Sequence, residues 1–299
     1  MIKNFGKFVP EENILTDELM SRHTTFRTGG PASCFIRIST REELSKIIDY
    51  LNKCEQNYYV LGNGSNLLVS DKGYEGVILS TTEAFNKVEC VGNQIIAQAG
   101  ALNSRIAACA RDNGLTGFEF AAGIPGSIGG AMVMNAGAYG GEMSQVVKTV
   151  DIVDKSGEMM TLDNETMEFG YRHSVIKNSK YIVTGVVLEL QKGDPETIKN
   201  KMNELAAKRR EKQPLEYASA GSTFKRPEGY FAGKLIQDAG LCGMSVGDAQ
   251  VSEKHCGFVI NRGNATASQI MELIKKVQET VYQNSGVQLE TEVITLGQF

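Results

Sequence analysis

Between residues 42 and 53 the apolar side chains Leu44, Ile47, Ile48 and Leu51 recur at spacings of three and four, which predicts an amphipathic helix. "YYVL" at 58–61 then reads as a buried strand running into glycine, and "VILS" at 77–80 as another. "KVECVGNQIIAQAG" predicts a hairpin turning at Gly92-Asn93. Residues 103–113 return to helical spacing, with Asn103 as the expected N-cap and Gly114 just past the end. "KTVDIVDKSGEMMTL" predicts a second hairpin with Lys155-Ser156-Gly157 in its turn, and "YIVTGVVLEL" a long buried strand. The next helix has Asp194 as N-cap, Pro195 in its first position, and Ile198, Met202 and Leu205 as its stripe. It runs into the basic run "KRREK" and stops before Pro214, where we place a domain boundary.

Beyond Pro214 the pattern predicts a helix near 230–239, strands near 246–251 and 257–261, and a helix from 267 to about 284. Thr266 and Gln269 form a capping box for this last helix, and Ile270, Ile274, Val277 and Val281 give it an apolar face. "VQLETEVITL" ends the chain as a strand. Hairpins mixed with helices predict an α+β fold rather than a doubly wound parallel sheet.

Composition narrows the function without choosing it. The chain has 299 residues, 41% hydrophobic and 22% charged, as in soluble globular proteins. With 31 basic and 35 acidic side chains it does not suggest a nucleic-acid or anionic-membrane surface. No apolar run is long enough to span a bilayer, and the first residues lack the apolar core of a signal peptide, so a cytoplasmic protein is expected. The six cysteines (34, 54, 90, 109, 242 and 256) form no C-x-x-C pair, and the expectation is reduced core thiols. Three scattered histidines do not suggest a metal site.

Two glycine-rich loops carry the candidate chemistry. In the first, a strand delivers the chain into Gly62, Asn63, Gly64, Ser65, Asn66 and Leu67. Glycine permits positive φ there, so successive N–H groups can line a concavity suited to phosphate oxygens, although an ordinary turn would look similar. A third Rossmann glycine would fall on Leu67, so that fingerprint fails. The second loop, "AAGIPGSIGGAMVMNAGAYGG" at 121–141, holds seven glycines and no charge. Gly123, Ile124, Pro125, Gly126, Ser127, Gly129 and Gly130 lead into helical spacing, and Asn135, Ala136, Gly137 and Ala138 continue past the same place. A helix start facing an anion, or tight packing that needs small residues, would each account for one such loop. Two together favour a ligand with two phosphates, such as a dinucleotide.

The ordered segments "VLGNGSNLLVSDKGYEGVIL", "GFEFAAGIPGSIGGAMVMNAGAYGGE", "GYRHS", "GSTFKRPEGYFAGKLIQDAGL" and "LETEV" resemble the UDP-N-acetylenolpyruvoylglucosamine reductases. The likeness runs from "TTFRTGGPA" to Glu292 and is closest to the shorter subtype, which lacks a tyrosine-bearing loop. It implies FAD in a fold of the vanillyl-alcohol-oxidase type, NADPH as reductant, and UDP-N-acetylglucosamine enolpyruvate as substrate in peptidoglycan precursor synthesis. Residues 1–214 would then bind FAD as two α+β subdomains. Residues 215–299 would hold the substrate, with the last strand returning to the FAD domain.

By the same resemblance, Arg172 in "GYRHS", flanked by the matching Tyr171 and Ser174, is the active-site arginine. Its fixed charge suits an enolate formed when hydride reaches the enolpyruvyl C=C. Ser222 matches the proton donor to carbon, and Glu292 the active-site glutamate, here preceded by Thr291 where the family commonly has proline. Lys212, Lys225, Arg226, Lys254 and His255 are candidates for the diphosphates of the substrate and NADPH, or else a solvated basic face; many relatives carry asparagine in place of Arg226. Two rival readings stay open: an oxidase of the same flavin fold, and a nucleotide-binding module without catalysis.

Overall fold

The computed structural model describes residues 2–299, and the chain divides into two compact units. The first comprises residues 1–16, 34–63 and 76–209; the second comprises residues 17–33, 64–75 and 210–299. Segments 17–33 and 64–75 therefore belong with the C-terminal part of the chain.

The first unit has two hydrophobic cores. One is built on the helix Arg41–Lys53, whose Leu44, Ile47, Ile48 and Leu51 are buried as their spacing predicts. Thr40 and Glu43 close its N-terminus as a capping box. Against these residues pack Ile36, Ile38, Val77 and Leu79 of neighbouring extended segments, and strand Tyr58–Leu61 pairs in parallel with residues 77–80. Only Leu61 of that strand is buried; its tyrosines and Val60 are half-buried, less than the apolar run suggested.

The second core of this unit lies on a five-stranded antiparallel sheet. Its central strand Ile182–Glu189 pairs with Val147–Val153 on one side and Gln94–Gln98 on the other. The hairpin Val88–Val91/Gln94–Gln98 turns at Gly92-Asn93, and Met159–Asp163 completes the second hairpin. Asp154 holds that turn by accepting from the backbone of Ser156 and Glu158. Arg41 reaches Asp151 at 2.6 Å, joining the first helix to this sheet. The helix Asn103–Asp112 begins one residue earlier than predicted, since Leu102 is the N-cap. Leu102 bridges to Ser127, and the Asn103 N–H donates to the carbonyl of Gly126, so a tertiary contact replaces the expected cap.

The second unit centres on the helix Ala267–Ser285, capped by Thr266 and Gln269, with Ile270, Leu273, Ile274, Val277 and Val281 in its core. Asp71 accepts from the N–H groups of Ala267 and Ser268 at this helix start. Residues 246–251, expected as one strand, are a tight hairpin: Val246 pairs with Ala249 across Gly247, whose φ is +56°. The C-terminal strand is likewise shorter than predicted. Only Ile294–Leu296 is regular, and it pairs in parallel with Leu67–Val69. The cysteine expectation needs one correction: Cys242 and Cys256 are joined in a disulfide, while Cys34, Cys54, Cys90 and Cys109 are free.

Candidate active site

In the first unit the two glycine loops are stitched together. The Asn63 side chain donates to the carbonyl of Pro125. Gly62 lies so close to Ser127 that an added Cβ would sit 2.3 Å from its Oγ. Ser127 in turn caps the short helix Ile128–Val133, accepting from Gly130 N–H. Gly129 donates to the carbonyl of Ala99, where a Cβ would meet Ala99 at 2.9 Å. The glycines of 121–141 thus allow close approach to other protein atoms, Ala99 at Gly129 and the Phe120 ring at Gly141, which fixes the shape of the loop.

The side chain standing over this uncharged loop is Arg209. A Cβ on Gly123 would lie 3.2 Å from its Cδ and 3.3 Å from its Nη1. Burial pulls the Arg209 pKa below the ordinary arginine range, with nearby Tyr139 acting in the opposite sense. The only signal for Arg209 in the sequence is the basic run "KRREK", which periodicity assigns to a helix end.

Asn135, Ala136, Gly137 and Ala138 form the far side of the loop. Gly137–Ala138 pairs with Gly141–Glu142 about Tyr139 and Gly140, whose φ angles of +54° and +86° suit a primed two-residue turn. Asn135, also at positive φ, is buried and works as a brace. Its Oδ1 accepts from Ser144 N–H at 2.9 Å, and its Nδ2 donates to the carbonyl of Gly170 at 3.2 Å.

That last bond leads directly to the arginine turn. Gly170 and His173 exchange two backbone bonds, so Tyr171 and Arg172 form the tip of a tight turn. Arg172 has φ +53°, a conformation costly for a residue with a Cβ and typical of functional sites. Its guanidinium lies 5.3 Å from the centre of the exposed Tyr171 ring. Buried Ser174 closes the other side, its Oγ donating to the carbonyl of Val133 at 3.0 Å. Asn135 and Ser174 therefore bolt "GYRHS" to the glycine stretch at positions 135 and 133, a tertiary reason for a motif that looks local in sequence.

In the second unit, Ser222 follows Gly221, at φ +75°, and precedes buried Thr223. Thr223 donates its N–H to the carbonyl of Gly257 and accepts Val259 N–H on its Oγ1, both at 2.9 Å. The N–H of Glu292 donates to the carbonyl of Thr223 at 2.8 Å, and Lys225 N–H donates to the carbonyl of Glu290 at 2.9 Å. The two sequence-distant segments carrying Ser222 and Glu292 thus run side by side. Asn66 holds the second of them, donating to the carbonyl of Glu292 at 3.0 Å and accepting Ile294 N–H. Gly64 is pressed against the carbonyl of His23, where a Cβ would stand at 2.0 Å. No hydrogen bond of the Ser65 side chain defines its part.

The basic candidates divide. Lys225 pairs with Glu290 at 2.7 Å, which accounts for the first glutamate of "LETEV". Lys254 donates to the carbonyl of Arg210 at 2.7 Å and lies 3.8 Å from Glu216. Arg226 is stacked 4.0 Å over the exposed Phe231 ring, and Lys212 is exposed. Burial pulls the His255 pKa below its ordinary value, and its Nδ1 accepts Gly257 N–H at 3.1 Å. At pH 7 this ring is neutral, so it offers hydrogen bonding but not the positive charge expected of it.

These residues fit an FAD. The uncharged loops would offer backbone N–H groups to a dinucleotide, and Arg209, beside Gly123, would supply a cation for its phosphates. An FAD binding domain model matches residues 32–163, which defines the chain as a flavoprotein of this fold. A second model, the C-terminal domain of UDP-N-acetylenolpyruvoylglucosamine reductase, matches residues 213–296. The reductase of Clostridioides difficile is 48% identical over 295 residues, covering 99% of this chain and 97% of its own. That of Clostridium kluyveri is 50% identical over 290 residues, covering 96% and 94%. The crystal structure of the Thermus caldophilus enzyme superposes with a TM-score of 0.82 at 37% identity, covering 94% of this chain and 98% of its own. The chain belongs to the UDP-N-acetylenolpyruvoylglucosamine reductase family. It is an FAD-dependent oxidoreductase of peptidoglycan precursor synthesis.

Proposed function

We propose that Arg172, Ser222 and Glu292 carry the chemistry by which this reductase converts UDP-N-acetylglucosamine enolpyruvate to UDP-N-acetylmuramate at the expense of NADPH. Bound FAD supplies hydride transfer. Reduction of the enolpyruvyl C=C leaves negative charge on the carbon next to the carboxylate. The Arg172 guanidinium stabilises that charge, and Glu292 acts with it on the enol or enolate. Ser222 delivers the proton to carbon. A hydroxyl is a weak acid, but an enolate carbon is a strong base, and a fixed position removes the cost of finding the donor.

The observation that carries this reading is the bond from Glu292 N–H to the carbonyl of Thr223, which holds the glutamate segment alongside the serine segment. Gly62, Asn63 and the 123–130 loop hold the cofactor, with Arg209 at its diphosphate. Lys212, Lys225, Arg226 and Lys254 serve the phosphates of substrate and NADPH, and His255 contributes a neutral hydrogen-bonding group. Within residues 1–214 the first unit acts as the flavin part, and residues 215–299 act as the substrate part in a unit that also takes in 17–33, 64–75 and 210–214, in the shorter subtype of the family. Among the described residues no helix is long and apolar enough to cross a membrane, and we place the enzyme in the cytoplasm with its nucleotide substrates.

The test separates the half-reactions by stopped-flow flavin absorbance. Ser222→Ala is expected to bleach with NADPH at the normal rate and to reoxidise very slowly with the enolpyruvyl substrate. Ser222→Cys should recover part of that rate. Slow bleaching with normal reoxidation would move Ser222 to nucleotide binding and refute its role as proton donor.

A further inference from the structure

The Cys242–Cys256 disulfide lies in the same unit as Ser222 and has no part in the chemistry above. Its Cα atoms are 5.5 Å apart and its cysteines 14 residues apart in sequence. Cys242 is exposed, whereas Cys256 is buried at 9% exposure. The bond closes a loop containing the Ser245–Val251 hairpin and the turn that carries Lys254 and His255.

Hydrogen bonds hold that turn as well: Lys254 Nζ donates to the carbonyl of Arg210 at 2.7 Å, and His255 Nδ1 accepts Gly257 N–H at 3.1 Å. Ser252 Oγ accepts from the N–H groups of Lys254 and His255, and Phe258 N–H donates to the carbonyl of His255. The residue after Cys256 is Gly257, whose carbonyl receives Thr223 N–H at 2.9 Å. The covalent tie is therefore one residue from the bond that holds the neighbour of Ser222.

We propose that Cys242–Cys256 is a thiol–disulfide exchange site whose state sets how firmly the Ser222 segment is held. The reactant is a dithiol. Its thiolate attacks the accessible Cys242 sulfur, the Cys242–Cys256 bond breaks, and Cys256 leaves as a thiolate that takes a proton. The second thiol of the dithiol then displaces Cys242. Two electrons and two protons reach the protein, and the dithiol becomes a cyclic disulfide. A disulfide of low molecular weight reverses the exchange. Cys34 and Cys109 are poor competitors in their resting state: burial pushes the Cys34 thiol up to about 11, and burial also raises that of Cys109.

The consequence for catalysis rests on Ser222 being the proton donor. With the tie open, flavin bleaching by NADPH should be unchanged, while reoxidation by the enolpyruvyl substrate slows several-fold. The holoenzyme is treated with oxidised glutathione or with dithiothreitol, freed of reagent by gel filtration under argon, and followed in both half-reactions. Alkylation in denaturant, read by mass spectrometry, should count four thiols in the oxidised form and six in the reduced form. The melting temperature should fall on the order of 5 °C on reduction. Cys242→Ser, a surface change, should reoxidise at the reduced-form rate whatever the pretreatment. Six thiols after oxidised glutathione, or equal reoxidation rates in both forms, would overturn the proposal. Ser222→Ala tells the two readings apart: its normal reoxidation would sink the proton-donor assignment, whereas a wild type indifferent to dithiothreitol would sink the exchange site.

Discussion

Gly62→Ala tests whether the two glycine loops are held by the contact the structure places between them. The backbone at Gly62 lies outside the left-handed region, so alanine brings no φ penalty. The cost comes from one atom. The new Cβ would stand 2.3 Å from Ser127 Oγ, more than 1 Å inside the roughly 3.5 Å optimum for nonbonded heavy atoms. Ser127 Cβ, at 3.5 Å, is in ordinary contact. Ser127 must therefore turn its hydroxyl away and surrender the cap on Gly130 N–H, or the loops must part. A lost cap costs about 1 kcal/mol and over-packing about 1–3 kcal/mol. If about 1–3 kcal/mol falls on the holo form, FAD affinity drops roughly 5- to 150-fold. Ser127→Ala removes the clashing oxygen and leaves the Cβ, so Gly62→Ala should cost little more when added to that background. The measurements are FAD titration of apoprotein by quenching of flavin fluorescence and thermal unfolding of all four members of the cycle. A coupling of about 1 kcal/mol or more is expected. Equal costs of Gly62→Ala in the two backgrounds would refute the contact. Gly64→Ala is the counter-example: its clash is with the backbone carbonyl of His23 at φ +60°, so no side-chain truncation should rescue it.

Two further outcomes are expected. Arg209→Gln should weaken FAD binding and flatten its dependence on salt, with Arg209→Lys between it and wild type; an unchanged dissociation constant in a normally folded Arg209→Gln would remove Arg209 from the cofactor site. His255 has a folded pKa below its unfolded value, so the unfolded chain takes up the proton first; its stabilising share is whole above about pH 6.5 and lost as pH falls through the lower folded value. Melting temperatures between pH 7.5 and 5 should decline less steeply in His255→Gln, and an identical decline would assign the effect to other groups.

The elements that the sequence announces most clearly are those whose ends are settled locally. Thr266 with Gln269, and Asp194 before Pro195, satisfy backbone groups within a few residues, so their spelling and their geometry coincide. Asn103 has the same spelling and a different outcome. Its N–H is taken by Gly126, and its buried side-chain amide has no hydrogen-bond partner, because the loop at 126–127 arrives from elsewhere in the chain. The Gly247-Asp248 turn is present in the letters but lies inside the span 246–251 expected as one strand. In the C-terminal stretch, regular pairing gives way at Thr291, where the chain meets Phe224.

The site follows the same division. Its motifs were legible as residue types: glycines without charge, an arginine between tyrosine and serine, a glutamate near the C-terminus. What each residue does to its neighbours was not, because several decisive contacts join segments far apart in sequence. Asn135 was grouped with the cofactor loop, yet its buried amide spends both ends on Ser144 and Gly170 and so supports the Arg172 turn. Ser174 does the same from the other side through Val133. An arginine at φ +53° persists only where surrounding bonds over-determine it, and these two supply that constraint. The spacing of Tyr171, Arg172 and Ser174 thus has a physical cause. The turn sets the arginine, and the serine two residues on fastens the turn to the glycine stretch, so neither position can shift without moving the guanidinium.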